Sequence, residues 1–199
     1  MLRDLEKYRG RHKTEFIPES SALLVLDMQR YFLDENSHAY VPSALPIIPR
    51  IRRLSEGFSK IGSPTIFTRH INKKENAKLM ATWWRDLIME ENPLSQITPE
   101  LDAGYTIEKT QYDAFYQTAL EDLLKEKGIT QVVITGVMTH LCCETTARSA
   151  FMRGFTVFFP IDGTATYNED FHRSTLLNLS HGFAIPALIE ELAEEVLIG

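Results

Sequence analysis

Short apolar runs alternate along the chain with stretches of helical amphipathic period, and this alternation constrains the fold more than any other feature of the sequence. The first run, at 21–27, is nearly continuous in apolar residues, as expected of a strand that is buried on both faces. Later runs predict strands at 64–68, 105–109, 131–136 and 155–161, with a short last one at 182–185. The 105–109 run is weaker than the others and favours a position near an edge of the sheet.

Helical patterns lie between these strands. They cover 44–61, 120–127, 142–153, 169–180 and the residues from 186 onward, and three of them end at Gly62, Gly128 and Gly154. Regular alternation of strands and helices implies right-handed crossovers and a mainly parallel sheet with helices on both faces. The sequence therefore predicts an open, Rossmann-like three-layer α/β/α sandwich over 21–199, with residues 1–20 as an N-terminal extension packed on its surface.

Length, charge and cysteine content narrow the functional classes. A chain of 199 residues fits one domain, and its net charge of -6 disfavours nucleic acid or an anionic membrane as a partner, since phosphates require clustered Lys and Arg. No stretch reaches the roughly 20 apolar residues of a membrane span, and residues 1–13 lack a signal-peptide apolar centre, so we expect a cytoplasmic protein. The adjacent Cys142 and Cys143 are expected to be reduced thiols.

Three reactive side chains fall where predicted strands end. Asp27 ends the first strand, Lys109 ends the third, and Cys142 follows the fourth after a short turn. Taken singly, these residues have ordinary interpretations as a turn acceptor, an exposed lysine and a small buried residue. Open parallel sheets bind ligands at the carboxyl ends of their strands, so we expect the three groups to converge at one edge of the sheet.

Cys142 is the strongest of these candidates, because it lies where a helix is predicted to begin. Backbone N–H groups and the helix dipole at such a position are expected to lower the pKa of the thiol and to hold a developing oxyanion. Asp27 is then the candidate general base, and Lys109 the cation that holds the charged forms of both.

At these residues the sequence resembles the isochorismatase-like cysteine hydrolases, from about residue 21 to the C-terminus. Three segments carry the resemblance: 26–29 with Phe32, 108–115, and 134–148. The last segment is the most specific, because the spacing of Gly136, Thr139, Cys142 and the 146–148 triplet matches the nucleophile loop of that family.

The resemblance implies an isochorismatase-like hydrolase fold and a catalytic triad of Asp27, Lys109 and Cys142. It also implies a cis peptide bond between Val137 and Met138, with the Met138 and Cys142 N–H groups directed at an oxyanion. It further implies a small-molecule substrate, no cofactor and assembly as a homo-oligomer.

Substrate-binding candidates lie just beyond the predicted strand ends: Phe32, His70 and Tyr112, with Arg69 and Trp84 as weaker candidates. By resemblance, His70 falls where the isochorismatase branch directs a polar side chain toward its substrate carboxylate. The pair at 83–84 is predicted either to cover the site or to serve as a core or interface anchor.

No metal site is predicted. Some related nicotinamidases bind a metal through an Asp-x-His pair and a further His after the second strand, and here that region offers only His70. Asp170 and His172 have the right spacing, but they lie on a helix predicted after the fifth strand, and one or two stray ligands do not make a zinc site.

The reaction is left open between branches of the family. Isochorismatases carry glycine at the nucleophile position and cysteine after it, whereas this chain has Cys142 followed by Cys143, to which we assign a packing role. Three hypotheses remain: hydrolysis of a small carboxamide or related C–N bond through a thioester, vinyl-ether hydrolysis with Asp27 as general acid, and a non-enzymatic redox or ligand-binding domain. The complete triad favours the first.

Overall fold

A seven-stranded parallel sheet forms the centre of the computed structural model, which describes residues 2–9 and 14–198. Residues 1, 10–13 and 199, which belong to the predicted extension and the predicted domain, lie outside the described residues. The strands are β1 Ser21–Leu26, β2 Thr65–His70, β3 Tyr105–Lys109, β4 Gln131–Val137, β5 Thr156–Pro160, β6 Thr164–Ala165 and β7 Ile185–Ala187. Their spatial order is β3-β2-β1-β4-β5-β7, with β6 also paired to β4. The weak strand β3 therefore lies at an edge, as expected.

Helices cover both faces of the sheet, so the predicted α/β/α architecture is confirmed. They are α1 Leu2–Arg9, α2 Arg30–Leu33, α3 Ile48–Lys60, α4 Met80–Trp83, α5 Leu120–Glu126, α6 Glu144–Met152, α7 Glu169–Gly182 and α8 Ile189–Ile198. Alternate residues of β1 enter two separate cores: Leu24 and Leu26 face α5, α6 and α7, whereas Leu23 and Val25 face α3 and α8. Both faces of β1 are buried, which explains its unbroken apolar run.

Several element boundaries differ from the predicted ones. A 3-10 turn at Pro42–Ile47 precedes α3 because proline cannot donate a backbone hydrogen bond, so the predicted helix at 44–61 starts later. The predicted helix at 142–153 is preceded by a π turn at Thr139–Cys143, and α6 itself begins at Glu144. Because α7 continues through Gly182, the last strand lies at 185–187 rather than 182–185.

Helix α1 packs on α7 and β7. Leu5 is buried in the core that α7 covers, the Tyr8 ring meets the His181 ring edge to face, and Arg9 forms an ion pair with Glu191. Over the part of the chain that the structure describes, no helix is both long and apolar enough to cross a membrane.

Gly136 allows β1 and β4 to approach each other closely beside the site. Its φ is +110°, and it pairs with Leu26 of β1 and with Thr164 of β6. A Cβ atom at this position would lie 2.1 Å from the carbonyl oxygen of Leu26, immediately before Asp27. Only glycine fits both the backbone conformation and this close approach.

We therefore predict that Gly136→Ala lowers the free energy of unfolding by about 3 kcal/mol or more, since both backbone strain and overlap with Leu26 oppose it. Gly104→Ala is the matched control, because a Cβ at Gly104 meets nothing within 4 Å. That control should change stability by less than about 0.5 kcal/mol. Denaturant unfolding of both variants measures the difference, and equal stabilities would contradict the role assigned to Gly136.

Candidate active site

Three chemically complementary side chains meet at the carboxyl ends of the central strands. Asp27 follows β1 with a φ of 51°, Lys109 is the last residue of β3, and Cys142 lies in the π turn after β4. Lys109 Nζ is 2.7 Å from Asp27 Oδ2 and 3.3 Å from Cys142 Sγ. The Asp27 carboxylate lies close enough to Cys142 for its charge to act on the thiol. The expected convergence of carboxylate, ammonium and thiol is present.

Asp27 and Lys109 form an ion pair that is closed off from water, with both side chains fully buried. The second carboxylate oxygen, Oδ1 of Asp27, accepts a hydrogen bond from Thr68 Oγ1 at 2.7 Å. Lys109 Nζ also donates to the carbonyl oxygen of Gln111 at 3.0 Å and lies 3.4 Å from His70 Nδ1. Buried charges persist only when such partners replace their lost hydration.

These contacts determine the protonation of the three groups. Burial is the largest single effect and raises the pKa of Asp27, but the charge of Lys109 together with the smaller effects of neighbouring groups outweighs it, so the net pKa is lowered. Burial lowers the pKa of Lys109, and the charge of Asp27, with that of the Cys142 thiolate that forms at high pH, reverses the shift and raises it. Burial, followed by the charge of Asp27, raises the pKa of Cys142 to about 12. The resting state is therefore carboxylate, ammonium and neutral thiol.

The expectation that the helix start would lower the pKa of Cys142 is wrong. Desolvation and the neighbouring carboxylate both favour the neutral thiol, and together they exceed the opposing effect of Lys109. Cys142 also lies in the π turn before α6 rather than at the first residue of that helix.

His70 is a neutral second neighbour of Lys109. Burial first, and then the charge of Lys109, lower the pKa of His70 to about 4. Its Nε2 lies 2.8 Å from Asn72 Oδ1, so this nitrogen carries the proton, and the unprotonated Nδ1 faces Lys109. Asn72 is held in turn by its Nδ2 donating to the Thr110 carbonyl at 3.0 Å. Both ring nitrogens of His70 thus have partners within the protein.

A cavity of about 180 Å³ opens over Cys142 and is lined mainly by apolar and aromatic side chains. The sequence-predicted residues Phe32, His70 and Tyr112 all line it, and so does Trp84. Met138 also contributes to the wall beside Cys142, and the peptide bond between Val137 and Met138 is cis, as the family resemblance implied.

Two weaker candidates do not reach this cavity. Arg69 forms ion pairs with Glu90 and Glu108, away from the cavity that His70 lines, because successive side chains of a strand point to opposite faces. Trp83 is 76% exposed and does not line the cavity.

Sequence reasoning missed several residues of the cavity and its rim. Five of them line the cavity: Tyr31 from the four-residue helix α2, and His38, Asn72, Asp86 and Tyr167 from loops. His38 Nδ1 lies 3.5 Å from Asp86 Oδ2, and the Tyr31 hydroxyl lies 3.4 Å from His38 Nε2. No periodic pattern marks loop residues of this kind, and their grouping depends on the folded positions of distant segments.

Cys143 and His172 have structural partners. Cys143 is fully buried in the core beneath α6, with Sγ 3.9 Å from the Thr135 carbonyl oxygen, which agrees with a packing role. The ring nitrogens of His172 lie 3.0 Å from Thr139 Oγ1 and 3.0 Å from the Ile161 carbonyl oxygen. Within residues 2–9 and 14–198, no group of three or more His, Cys, Asp or Glu side chains is arranged to hold a metal ion.

Comparison with known proteins gives concordant results. The family model for the isochorismatase domain matches residues 21–191. Nicotinamidase 3 of Arabidopsis thaliana is 38% identical over 184 residues, covering 89% of each chain. Enterobactin synthase component B of Escherichia coli K12 is 31% identical over 89% of this chain, which spans 64% of that longer protein. A cysteine hydrolase from Pseudomonas syringae pv. phaseolicola 1448A superposes with a TM-score of 0.85 at 21% identity, covering 92% of this chain and 95% of its own.

The electrostatics of the three groups predict how Cys142 responds when Asp27 loses its charge. Asp27→Asn should lower the thiol pKa by about 1 to 3 units from its value of about 12, because Lys109 would then stabilise the thiolate unopposed. Thiolate absorbance near 240 nm during a pH titration measures this shift, and a Cys143→Ala background makes Cys142 the only thiol observed.

Alkylation by iodoacetamide at neutral pH provides a second readout, because the thiolate is the nucleophile. Asp27→Asn should accelerate the reaction, whereas the surface control Asp102→Asn should not. An unchanged or higher thiol pKa in Asp27→Asn would contradict the proposed arrangement of charges.

Proposed function

Because the chain belongs to the isochorismatase-domain family and is a hydrolase of that family, we propose that it hydrolyses a small carboxamide or related C–N bond through a thioester on Cys142. The observation that carries this proposal is the position of Lys109 Nζ, which contacts both the Asp27 carboxylate and the Cys142 sulfur. Membership of a hydrolase family leaves no support for the non-enzymatic hypothesis.

The first step moves the thiol proton to Asp27. Both groups contact the same Lys109 ammonium, so the proton has only a short distance to travel. After the transfer, negative charge has passed from the carboxylate to the sulfur, while the Lys109 cation remains 3.3 Å away. The buried site therefore relocates one charge without creating a new one, and this limits the cost of forming a thiolate whose resting pKa is about 12.

The thiolate then attacks the substrate carbonyl carbon, and the developing oxyanion is held by the N–H groups of Met138 and Cys142. When this intermediate collapses, the C–N bond breaks and Asp27 returns its proton to the leaving nitrogen. Ammonia or an amine departs, and the acyl group remains on Cys142 as a thioester.

Water completes the cycle. Asp27, again ionised, takes a proton from a water molecule, and the resulting hydroxide attacks the thioester carbonyl. The carbon–sulfur bond breaks, the carboxylic acid is released, and the proton on Asp27 returns to the thiolate. Every proton is carried by Asp27, so the proposed cycle requires no cofactor.

The cavity favours a small, planar and uncharged substrate. Its volume of about 180 Å³ is below the usual range for ligand pockets, and its wall includes Phe32 and Tyr112. Lys109 is neutralised by Asp27, and Arg85 at the rim lies 4.0 Å from the Asp86 carboxylate. This charge distribution suits a neutral aromatic carboxamide better than a substrate with two carboxylates, and the name of the Arabidopsis relative makes nicotinamide the first compound to test.

Vinyl-ether hydrolysis is the second candidate, and the isochorismatase-domain match favours it. In that reaction Asp27 would donate a proton as general acid, and Cys142 would take no part. The lowered pKa of Asp27 argues against this reaction, because the carboxyl group would be ionised at neutral pH.

Substitution of Cys142 separates the two reactions. Cys142→Ala should lower kcat/KM for carboxamides by about three orders of magnitude or more, because the nucleophile is lost. Vinyl-ether hydrolysis of isochorismate, if present in the wild type, should survive the same substitution. Cys143→Ala is the matched control and should keep wild-type activity, since that side chain lies in the core. Release of ammonia and release of pyruvate are the two assays.

Intact-mass spectrometry during turnover tests the covalent intermediate directly. Wild-type protein mixed rapidly with nicotinamide, benzamide or acetamide and quenched in acid should gain the mass of the acyl group. Peptide mapping should place that group on Cys142, and Cys142→Ala should remain unmodified. Full carboxamide activity in Cys142→Ala would refute the proposed mechanism.

A further inference from the structure

Tyr112 and Trp84 share a hydrogen bond in the cavity wall. Trp84 Nε1 lies 2.8 Å from the Tyr112 hydroxyl oxygen, and both residues line the cavity above Cys142. Because an indole nitrogen only donates, the phenolic oxygen must be the acceptor in this contact. The hydroxyl proton of Tyr112 is therefore directed away from Trp84, and it has no protein acceptor among the residues that the structure describes.

Two polar residues of the cavity wall already have hydrogen-bond partners of their own. His70 and Asn72 are bonded to each other, with Asn72 held by the Thr110 carbonyl. Burial, the largest influence, raises the pKa of Tyr112, and the hydrogen bond from Trp84 opposes this rise without cancelling it, so the hydroxyl keeps its proton. A hydroxyl donor that no protein group engages is available to a ligand that brings an acceptor.

We propose that the Tyr112 hydroxyl, oriented by Trp84, selects ring carboxamides that carry a hydrogen-bond acceptor in the ring, such as a pyridine nitrogen. Tyr112 is the specificity-determining residue of this inference, and Trp84 is a positioning residue that acts through it. The inference rests on the proposed carboxamide hydrolysis, because it assigns a ring contact to the substrate of that reaction.

Trp84 and Tyr112 come from two different segments of the chain. Trp84 directly follows α4, on the connection between β2 and β3, whereas Tyr112 follows β3 itself. Two segments must therefore be in place together for the donor to be oriented. The neighbouring Trp83 lies on the same connection but is 76% exposed and makes no cavity contact, so it provides a matched control.

Steady-state kinetics with four substrates test the proposal: benzamide, picolinamide, nicotinamide and isonicotinamide. Benzamide has no ring acceptor, and the other three place a nitrogen at each possible ring position. The wild type should prefer one pyridine isomer over benzamide by about tenfold in kcat/KM, the usual effect of one satisfied hydrogen bond. Tyr112→Phe should abolish that preference, mainly through KM, because the ring acceptor of the pyridine substrates then has no hydroxyl donor.

The two tryptophan variants test the positioning role. Trp84→Phe keeps an aromatic ring but removes the N–H donor, so it should reduce the preference in the same direction as Tyr112→Phe. Trp83→Phe should retain the full wild-type preference. A wild type that treats all four substrates alike, or a Tyr112→Phe variant that slows all four by the same factor, would overturn the proposal.

Binding to an inactive variant separates this inference from the proposed function. If the wild type hydrolyses none of the four compounds, calorimetry of each compound with Cys142→Ala measures recognition without turnover. A pyridine preference that disappears in Cys142→Ala/Tyr112→Phe would support ring selection even though the proposed reaction had failed. Equal affinities, or no binding of any of the four compounds, would refute ring selection itself.

Discussion

The buried ion pair between Asp27 and Lys109 is the interaction on which the rest of the site depends. Removing two charges from water costs several kcal/mol for each ion, and their mutual attraction repays this only when the remaining hydrogen-bonding positions are filled. Thr68 donates a hydrogen bond to the carboxylate, while the Gln111 carbonyl and the Cys142 sulfur accept hydrogen bonds from the ammonium group. The pair joins the residue after β1 to the end of β3, and its partners come from β2, the turn after β3 and the turn after β4. The pair therefore requires the sheet to be assembled in register.

In the proposed mechanism, the same pair accounts for a thiol with a raised pKa acting as the nucleophile. Free cysteine is commonly activated by lowering its pKa, whereas here the neutral thiol is placed against an ionised base and a fixed cation. Proton transfer within this cluster exchanges one buried anion for another beside the same Lys109. In the proposed mechanism, reactivity therefore depends on a short proton path and a constant net charge.

Sequence patterns predicted the sheet well because its strands are buried on both faces, and unbroken apolar runs such as the one at 21–27 record that burial directly. The convergence of Asp27, Lys109 and Cys142 was predictable for a related reason, since parallel strands bring their carboxyl ends to one edge. The prediction for the Cys142 pKa was wrong because it considered only the local helix start. Arg69 and His70 show the same limit: they are adjacent in sequence, but only His70 lines the cavity.

Amphipathic period, strand-end chemistry and the spacing around Cys142 by themselves determined the α/β/α class, the family resemblance and the candidate triad. Tertiary structure alone decided the protonation of that triad, the partners of His70, the rim formed by Tyr31, His38 and Asp86, and the contact between Trp84 and Tyr112. The physical reason is that the spacing of apolar residues indicates which face of each segment is buried in the core. Desolvation and hydrogen-bond partners, by contrast, arise between segments remote in sequence, and their strengths depend on distances that only the folded chain sets.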